Sequence, residues 1–232
     1  FYKEKSRVNV LNDLDQNLML VYRTIRDRPE ELTALLATFA PPSRESHFYY
    51  KNLYQPDNEL EQAARWYYLN RISYSGIMQF QNCYFGYGDK YSMRPENWPR
   101  NIARASQKLQ GVALRCIDAV DCIRSMPDGA LLFVDAPYFS ADQDKFYTCF
   151  FSRQDHFRLR DVIRQEYHRL KFFITYDNCE EIREMYSFMP AMYDKEWNYC
   201  ISRTDDQKEH KKLQDGHRGK RGKGRELFIL NY

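Results

Sequence analysis

Apolar positions recur along this chain with two periods. Leu131-Leu132-Phe133-Val134 is an unbroken apolar run, rich in branched and aromatic side chains, that stops at Asp135-Ala136-Pro137-Tyr138. Such a run reads as a buried strand. Residues 7–11 and 112–116 read as shorter strands, 171–176 as one ending at Asp177-Asn178, 197–201 as an edge strand and 227–230 as the last. Helical spacing lies between them. Leu18, Val21, Tyr22 and Ile25 recur behind Asp15, a residue suited to cap a helix. Further helical stretches follow at 30–39, 60–69, 102–109, 120–126, 155–170 and 180–188. Strands alternating with helices predict an α/β fold. The strands ending at Asp118 and Asp135 are separated by enough chain for a returning helix, which predicts parallel neighbours with both carboxylates at one sheet edge. In open α/β sheets ligands bind at the carboxyl ends of strands. Asp and Pro are also ordinary turn residues, so by themselves residues 135–138 read slightly better as a turn than as a site.

The pattern changes at Pro41-Pro42-Ser43. Residues 46–110 are dense in aromatics, glycine and charge, including Cys83-Tyr84-Phe85-Gly86-Tyr87-Gly88-Asp89-Lys90-Tyr91. Rings interleaved with cations suit a nucleic-acid surface, where bases stack and phosphates meet charge. They equally suit a loop-rich subdomain pinned by its own aromatic cluster. The expected division is 1–45 and 111–232 for the two parts of a main domain, with 46–110 inserted. A hydrophilic run over 204–225 holds eight Lys or Arg and four glycines. It reads as a mobile loop, either solvated or lying along a phosphate backbone.

The net charge of +3 is too mild to demand a nucleic-acid partner, so any basic surface is local. Aromatics make up 16% of the chain, with 19 Tyr and 15 Phe, which serves either a core or a stacking surface. Six cysteines show no CxxC pair, which points away from zinc fingers and small disulfide frameworks and towards scattered thiols in a reducing compartment. No apolar run approaches a membrane span and no signal peptide opens the chain. These features predict a cytoplasmic protein.

Strand ends at Asp13, Asp118, Asp135 and Asp177-Asn178, in that order, with an insertion after the first helices, resemble the Dam-like adenine-N6 DNA methyltransferases over nearly the whole chain. Asn12-Asp13-Leu14 is similar to the family's second-strand signature, Ile117-Asp118 to its contact with the cofactor's adenine, and Asp135-Ala136-Pro137-Tyr138 to its catalytic Asp-Pro-Pro-Tyr motif. Asn70-Arg71, followed by Tyr74-Ser75-Gly76, resembles the opening of its target-recognition subdomain, and Tyr147, His156, 175–178 and 226–232 fall where the family has similar residues. The resemblance implies a Rossmann-like S-adenosylmethionine-dependent methyltransferase sheet and a bacterial or phage-encoded enzyme. Its substrate would be double-stranded DNA. Asp135, Ala136, Pro137 and Tyr138 would be catalytic; Asp13, Ile117, Asp118 and Asp135 would bind cofactor. Asn70, Arg71, Tyr74, Ser75, Gln79, Lys90, Tyr147 and Asn178 would contact DNA.

The chemistry agrees with that implication. Adenine's exocyclic amine is a poor nucleophile because its lone pair is delocalised into the ring. A carboxylate and a backbone carbonyl that accept both amino hydrogens would localise that pair. Asp135 supplies one acceptor and the Ala136 carbonyl the other, while Tyr138 offers a face to a base removed from the duplex. Orientation then supplies much of the rate, with no metal and no covalent intermediate. Three departures matter. Ala136 replaces a proline and leaves a less rigid turn. Gln79 stands where members acting on GATC usually carry arginine; Gln pairs with adenine and Arg favours guanine, so the target sequence stays open. The family's glycine-rich loop after the first strand has no counterpart after Phe1, so the expectation is a fragment of a longer protein. The alternatives are a partner protein that supplies the loop, a catalytically silent DNA-binding paralogue, and the same chemistry on RNA.

Overall fold

The computed structural model describes residues 5–88, 92–140, 147–198 and 223–232. The chain divides into two compact units, one holding 1–122 and 142–151, the other 123–141 and 152–232.

The first unit is mostly helical. Its elements are β1 (Val10–Asn12), α1 (Gln16–Asp27), α2 (Pro29–Leu36), α3 (Arg44–Asn52), α4 (Glu59–Ile72), α5 (Trp98–Leu109) and β2 (Ala113–Arg115), with α6 (Ala119–Arg124) leading out of it. Each helix starts where chain chemistry favours it. The Asp15 carboxylate accepts the Asn17 and Leu18 N–H groups at the head of α1, Pro29 opens α2, and the Asn58 side chain accepts from Glu61 N–H at the head of α4. Residues 46–110 do not carry a core of their own: Leu20, Val21, Ile25, Leu32 and Leu36 share one buried cluster with Tyr50, Tyr67, Tyr68, Leu69, Ile72, Trp98 and Ile102. Many aromatics are therefore interior. Phe39 stacks on Tyr50 at 4.3 Å, Tyr50 meets Tyr68 at 4.7 Å, and Tyr68 meets the edge of Trp98 at 5.9 Å. The buried Tyr68 hydroxyl lies 2.8 Å from both Ala40 O and Ser46 Oγ, and its pKa is pushed up to about 12, chiefly by burial.

Helix α3 has no counterpart in the sequence reading. Its buried residues are Ser46, His47 and Tyr50, so its inner face lacks the apolar repeat that marks a helix, and a Ser43–Ser46 capping box starts it instead.

β1 and β2 pair in parallel, with Val10 opposite Ala113 and Asn12 opposite Arg115, so the whole helical insertion lies between two adjacent strands.

The second unit is built on β3 (Leu131–Asp135), α7 (Arg153–Gln165), β4 (Lys171–Asp177), α8 (Glu180–Met185), β5 (Ala191–Asn198) and β6 (Lys223–Leu230). The sheet order is β3-β4-β6-β5; β3 and β4 run parallel, and β6 is antiparallel to both its neighbours. One face buries Phe172, Ile174, Tyr176, Leu227 and Ile229, and α7 reaches it through His156, whose ring lies 5.6 Å from Tyr176.

Three expectations are corrected. β2 and β3 are not ladder neighbours; β2 pairs with β1, and β3 with β4. β3 is not buried on both faces: Leu132 and Val134 alternate onto the face of the buried Phe172 and Ile174, while Leu131 and Phe133 point to the other face and remain 60% and 65% exposed. The penultimate strand begins at Ala191, earlier than its expected start at 197, because β5 is specified by backbone pairing with β6 and not by an apolar alternation. Residues 199–222, which hold most of the basic run, lie outside the described residues, while 223–225 are part of β6.

Ile174 is fully buried at the centre of the second sheet. Ile174→Ala is expected to destabilise this unit by about 2–5 kcal/mol, read as a lower midpoint in urea denaturation.

Candidate active site

In the first unit, the parallel pairing of β1 and β2 brings the expected cofactor residues together. Asn12 is the hinge of this arrangement: its amide donates to Ile117 O at 3.0 Å and its carbonyl accepts from Ile117 N–H at 3.2 Å. Ile117-Asp118 is thereby held beside the turn that carries Asp13. The Asp13 carboxylate accepts Asp15 N–H at 2.8 Å. Although Asp13 is accessible from solvent, the protein around its carboxyl strips water and pushes its pKa up, against the pull of the Asp15 and Leu14 N–H groups. Asp15 is itself buried; besides capping α1 it accepts the Thr148 hydroxyl at 2.5 Å. That bond docks the segment carrying Tyr147 on the same turn. The charges of Asp13 and Arg71 both reach the Tyr22 phenol, whose pKa is raised first by burial.

The expected DNA-contacting residues of this unit lie at the end of α4 and in the loop after it. Asn70 donates to Gly76 O at 2.9 Å and its carbonyl accepts from Arg71, whose guanidinium lies 5.6 Å from the Tyr67 ring centre. Ser75 holds a left-handed backbone with φ of 52°, and Gln79 Oε1 accepts Asn82 N–H at 3.0 Å, bracing the turn that follows. The loop closes on itself through Tyr74 N–H to Tyr84 O at 2.8 Å and Gly86 N–H to Ile72 O at 2.9 Å. Gly86 is obligatory there, because a Cβ would lie 2.3 Å from Tyr74 Cα. Beneath the loop, buried Ser73 Oγ lies 3.0 Å from His47 Nε2 and 3.1 Å from Cys83 Sγ. Lys90 lies outside the described residues. Phe80 and Tyr84 are each 62% exposed, with the Lys51 ammonium 4.8 and 5.6 Å from their ring centres.

In the second unit, the turn after β3 is clamped at three points. Thr175 donates its hydroxyl to Asp135 Oδ1 at 2.6 Å. The buried Asp177 carboxylate accepts the N–H groups of Phe139 and Ser140 at 2.7 and 3.0 Å. Tyr138 donates its hydroxyl to Glu226 Oε1 at 2.7 Å. Asp135 is exposed and Ala136 buried, so the carboxylate faces outward from a turn whose backbone is packed. Behind it His156 Nδ1 lies 2.8 Å from the Tyr176 hydroxyl, and the Phe139 ring rests edge-on to His156 under the Arg153 guanidinium. Asn178 is engaged by Arg183 and Asp194, which line a cleft of about 320 Å³ with Lys195, Glu196 and Arg225. Asp13, Ile117 and Asp118 thus belong to one unit and Asp135 to Tyr138 to the other. Among the described residues no group of three or more His, Cys, Asp or Glu side chains is placed to hold a metal, and no helix is long and apolar enough to cross a membrane.

Residues 2–201 match the family described as D12 class N6 adenine-specific DNA methyltransferase. The chain belongs to that family. It is similar to the type II methyltransferase M1.LlaDCHI of Lactococcus lactis subsp. cremoris, with 26% identity over 71% of this chain and 63% of that protein. It is also similar to the DNA N-6-adenine-methyltransferase of Escherichia phage P1, with 25% identity over 77% of this chain and 25% of that protein. The type II methyltransferase M.CviBI of Paramecium bursaria Chlorella virus NC1A is 24% identical over 96% of this chain and 81% of that protein. The chain therefore spans less than two thirds of the first two relatives. In this D12-class chain, the residues that sequence reasoning did not assign to the site are the supports: Asn12, Asp15, Thr148, Thr175, Asp177 and Glu226. Asn12, Thr175, Asp177 and Glu226 stand in stretches matched to the family and Asp15 reads as a helix cap, while Thr148 carries no signal; the contacts through which all six act are announced by no spacing.

Burial holds the imidazoles of His156 and His47 below the ordinary value of 6.5; for His156 the charges of Asp177 and Asp155 partly oppose this, and for His47 the Lys51 charge adds to it. The folded chain therefore resists protonation that the unfolded chain accepts. The associated stability is full above about pH 6.5 and falls as pH drops through and below it. Urea midpoints are expected to be lower at pH 5.5 than at pH 7.5, and His156→Gln should narrow the difference.

Proposed function

We propose that this chain is the catalytic and target-recognition part of a site-specific DNA methyltransferase that methylates N6 of an adenine turned out of the duplex, with a Rossmann-like methyltransferase fold. The observation that carries this reading is the turn after β3: an exposed carboxylate oriented by the Thr175 hydroxyl, one residue from a backbone carbonyl and three from a tethered tyrosine. Family membership supports it.

Asp135 accepts one hydrogen of the adenine amine through the oxygen not engaged by Thr175, and the Ala136 carbonyl accepts the other. Together they draw the nitrogen lone pair out of conjugation and aim it. Tyr138 stacks on the base, which compensates for the stacking lost on leaving the duplex. Pro137 stiffens the turn between them. Asp177, by neutralising two backbone N–H donors behind Tyr138, keeps the turn from relaxing. Preorganisation of this kind removes the need to order the groups during the reaction.

The methyl donor proposed is S-adenosylmethionine, which supplies an electrophilic methyl group on a sulfonium when bound. The residues fit its nucleoside. Asp13 carries a partly desolvated carboxyl that gains from hydroxyl donors such as a ribose. Ile117, 38% exposed and fixed on both sides by Asn12, offers an apolar face to a purine, with Asp118 beside it. Residues 46–110 are proposed as the target-recognition part, with Asn70, Arg71, Tyr74, Ser75, Gln79, Lys90 and Tyr147 towards double-stranded DNA and Asn178 from the second unit.

Asp135→Ala is expected to lower methyl transfer to duplex DNA by about 10²- to 10³-fold while DNA affinity stays within a few-fold, measured with labelled donor and by binding to the same duplex. Persistent transfer would refute the assignment. Tight DNA binding without transfer by the unsubstituted full-length protein would instead favour a silent DNA-binding paralogue.

A further inference from the structure

We propose that Glu226 is a positioning residue that sets the tilt of the Tyr138 ring, an inference that rests on the reading of Asp135 to Tyr138 as the site of transfer. The bond between the Tyr138 hydroxyl and Glu226 Oε1, 2.7 Å long, is the direct observation. The sheet register supplies a second. Glu226 on β6 stands directly opposite Asp177 on β4. Like charges in that relation weaken a sheet, so an acid at both positions needs a compensating role.

Both acids face the same turn. Asp177 takes the two N–H groups immediately after Tyr138, and Glu226 takes the phenol of Tyr138 itself. The unfavourable pairing is offset by hydrogen bonds to the turn, and a sheet position without a site to support would not require it. Lys195 on β5 lies opposite Glu226 on its other side, which places a cation across from the acid.

The division of labour follows from the geometry of a ring. Backbone bonds fix where the Tyr138 Cα sits and do not themselves set χ1 or the broad χ2 torsion of the ring. The hydroxyl oxygen lies on the χ2 axis, so an anchor there fixes the ring's long axis through χ1, and because a phenol O–H prefers to lie in the ring plane, aiming it at Glu226 also favours one plane. Stacking a planar base needs the plane. Asp177 therefore sets the position of the platform and Glu226 its orientation.

Full-length protein carrying Glu226→Ala or Tyr138→Phe is expected to slow single-turnover methyl transfer about 10- to 100-fold with DNA affinity unchanged. Because both changes cut the same bond, the double variant should be no slower than either single one. Glu226→Gln, whose amide oxygen still accepts from a phenol, should stay within about threefold of the unsubstituted protein. Additive losses in the double variant, or an unchanged rate in Glu226→Ala, would overturn the proposal. A second measurement needs no turnover. The ¹⁹F resonance of 3-fluorotyrosine placed at position 138 should move towards that of the free amino acid in Glu226→Ala and hold its place in Glu226→Gln. A resonance unmoved by Glu226→Ala would remove the tether. If the tether is present and the unsubstituted protein transfers no methyl group to adenine, the reading of the site fails and the tether does not.

Discussion

The second unit depends on one constraint: the chain must leave β3 in a fixed direction and hold it without a proline at position 136. Asp177 meets that constraint. Its carboxylate, buried at the end of β4, accepts two successive backbone N–H groups of the turn. Bonds from an ionised acceptor are roughly twice as strong as neutral ones, and two of them fix a peptide plane more firmly than one. Everything else in the turn follows from that anchor. Asp135 points outward because the backbone after it is pinned, and Tyr138 reaches Glu226 because its Cα cannot drift. The sheet accepts two acids facing each other across β4 and β6 as the condition for this arrangement.

A similar economy governs the first unit. Asn12 uses both ends of its amide to lock Ile117, and Asp15 uses both carboxylate oxygens, one to cap α1 and one to take the Thr148 hydroxyl. Short polar side chains at strand and helix ends thus do two jobs at once, closing a secondary-structure element and seating a functional segment. The loop after α4 relies instead on a close backbone approach at Gly86 and on the buried Ser73, His47 and Cys83 contacts beneath it. Supports of this kind keep exposed residues such as Tyr84 on a rigid base although the loop has little regular structure.

The abundance of aromatic residues divides between these roles. Tyr50, Tyr67, Tyr68 and Trp98 fill the interior of the first unit, packed among leucine, isoleucine, valine and alanine side chains of the same helical core. Phe80 and Tyr84 stay outside beside Lys51. On the second sheet Phe133, Phe173 and Phe228 form a row, with ring centres 5.5 and 5.2 Å apart, along the face opposite the buried one.

Periodicity alone located most helices and strands, because α1, α4, α7 and β4 bury apolar side chains at the spacing their geometry demands. It also placed Asp13 and Asp135 at strand ends, since an apolar run that stops at an acid marks its own boundary, whereas Asp118 stands past the end of β2 and heads α6. The order of those ends along the chain pointed to the D12-class family. Helix α3 escaped, because its inward residues are serine, histidine and tyrosine. So did the full extent of β5, whose place is decided by backbone bonds to β6, a partner that follows it in sequence. Strand adjacency was likewise a tertiary decision: β2 joins β1, from which it is separated by the entire helical insertion, and β3 joins β4. The supports of the site belong to the same class. Thr175 meets Asp135, Glu226 meets Tyr138 and Thr148 meets Asp15 only once strands and loops distant in sequence are packed side by side. A side chain's type records what chemistry it can offer, and which partner receives it is settled by register and packing.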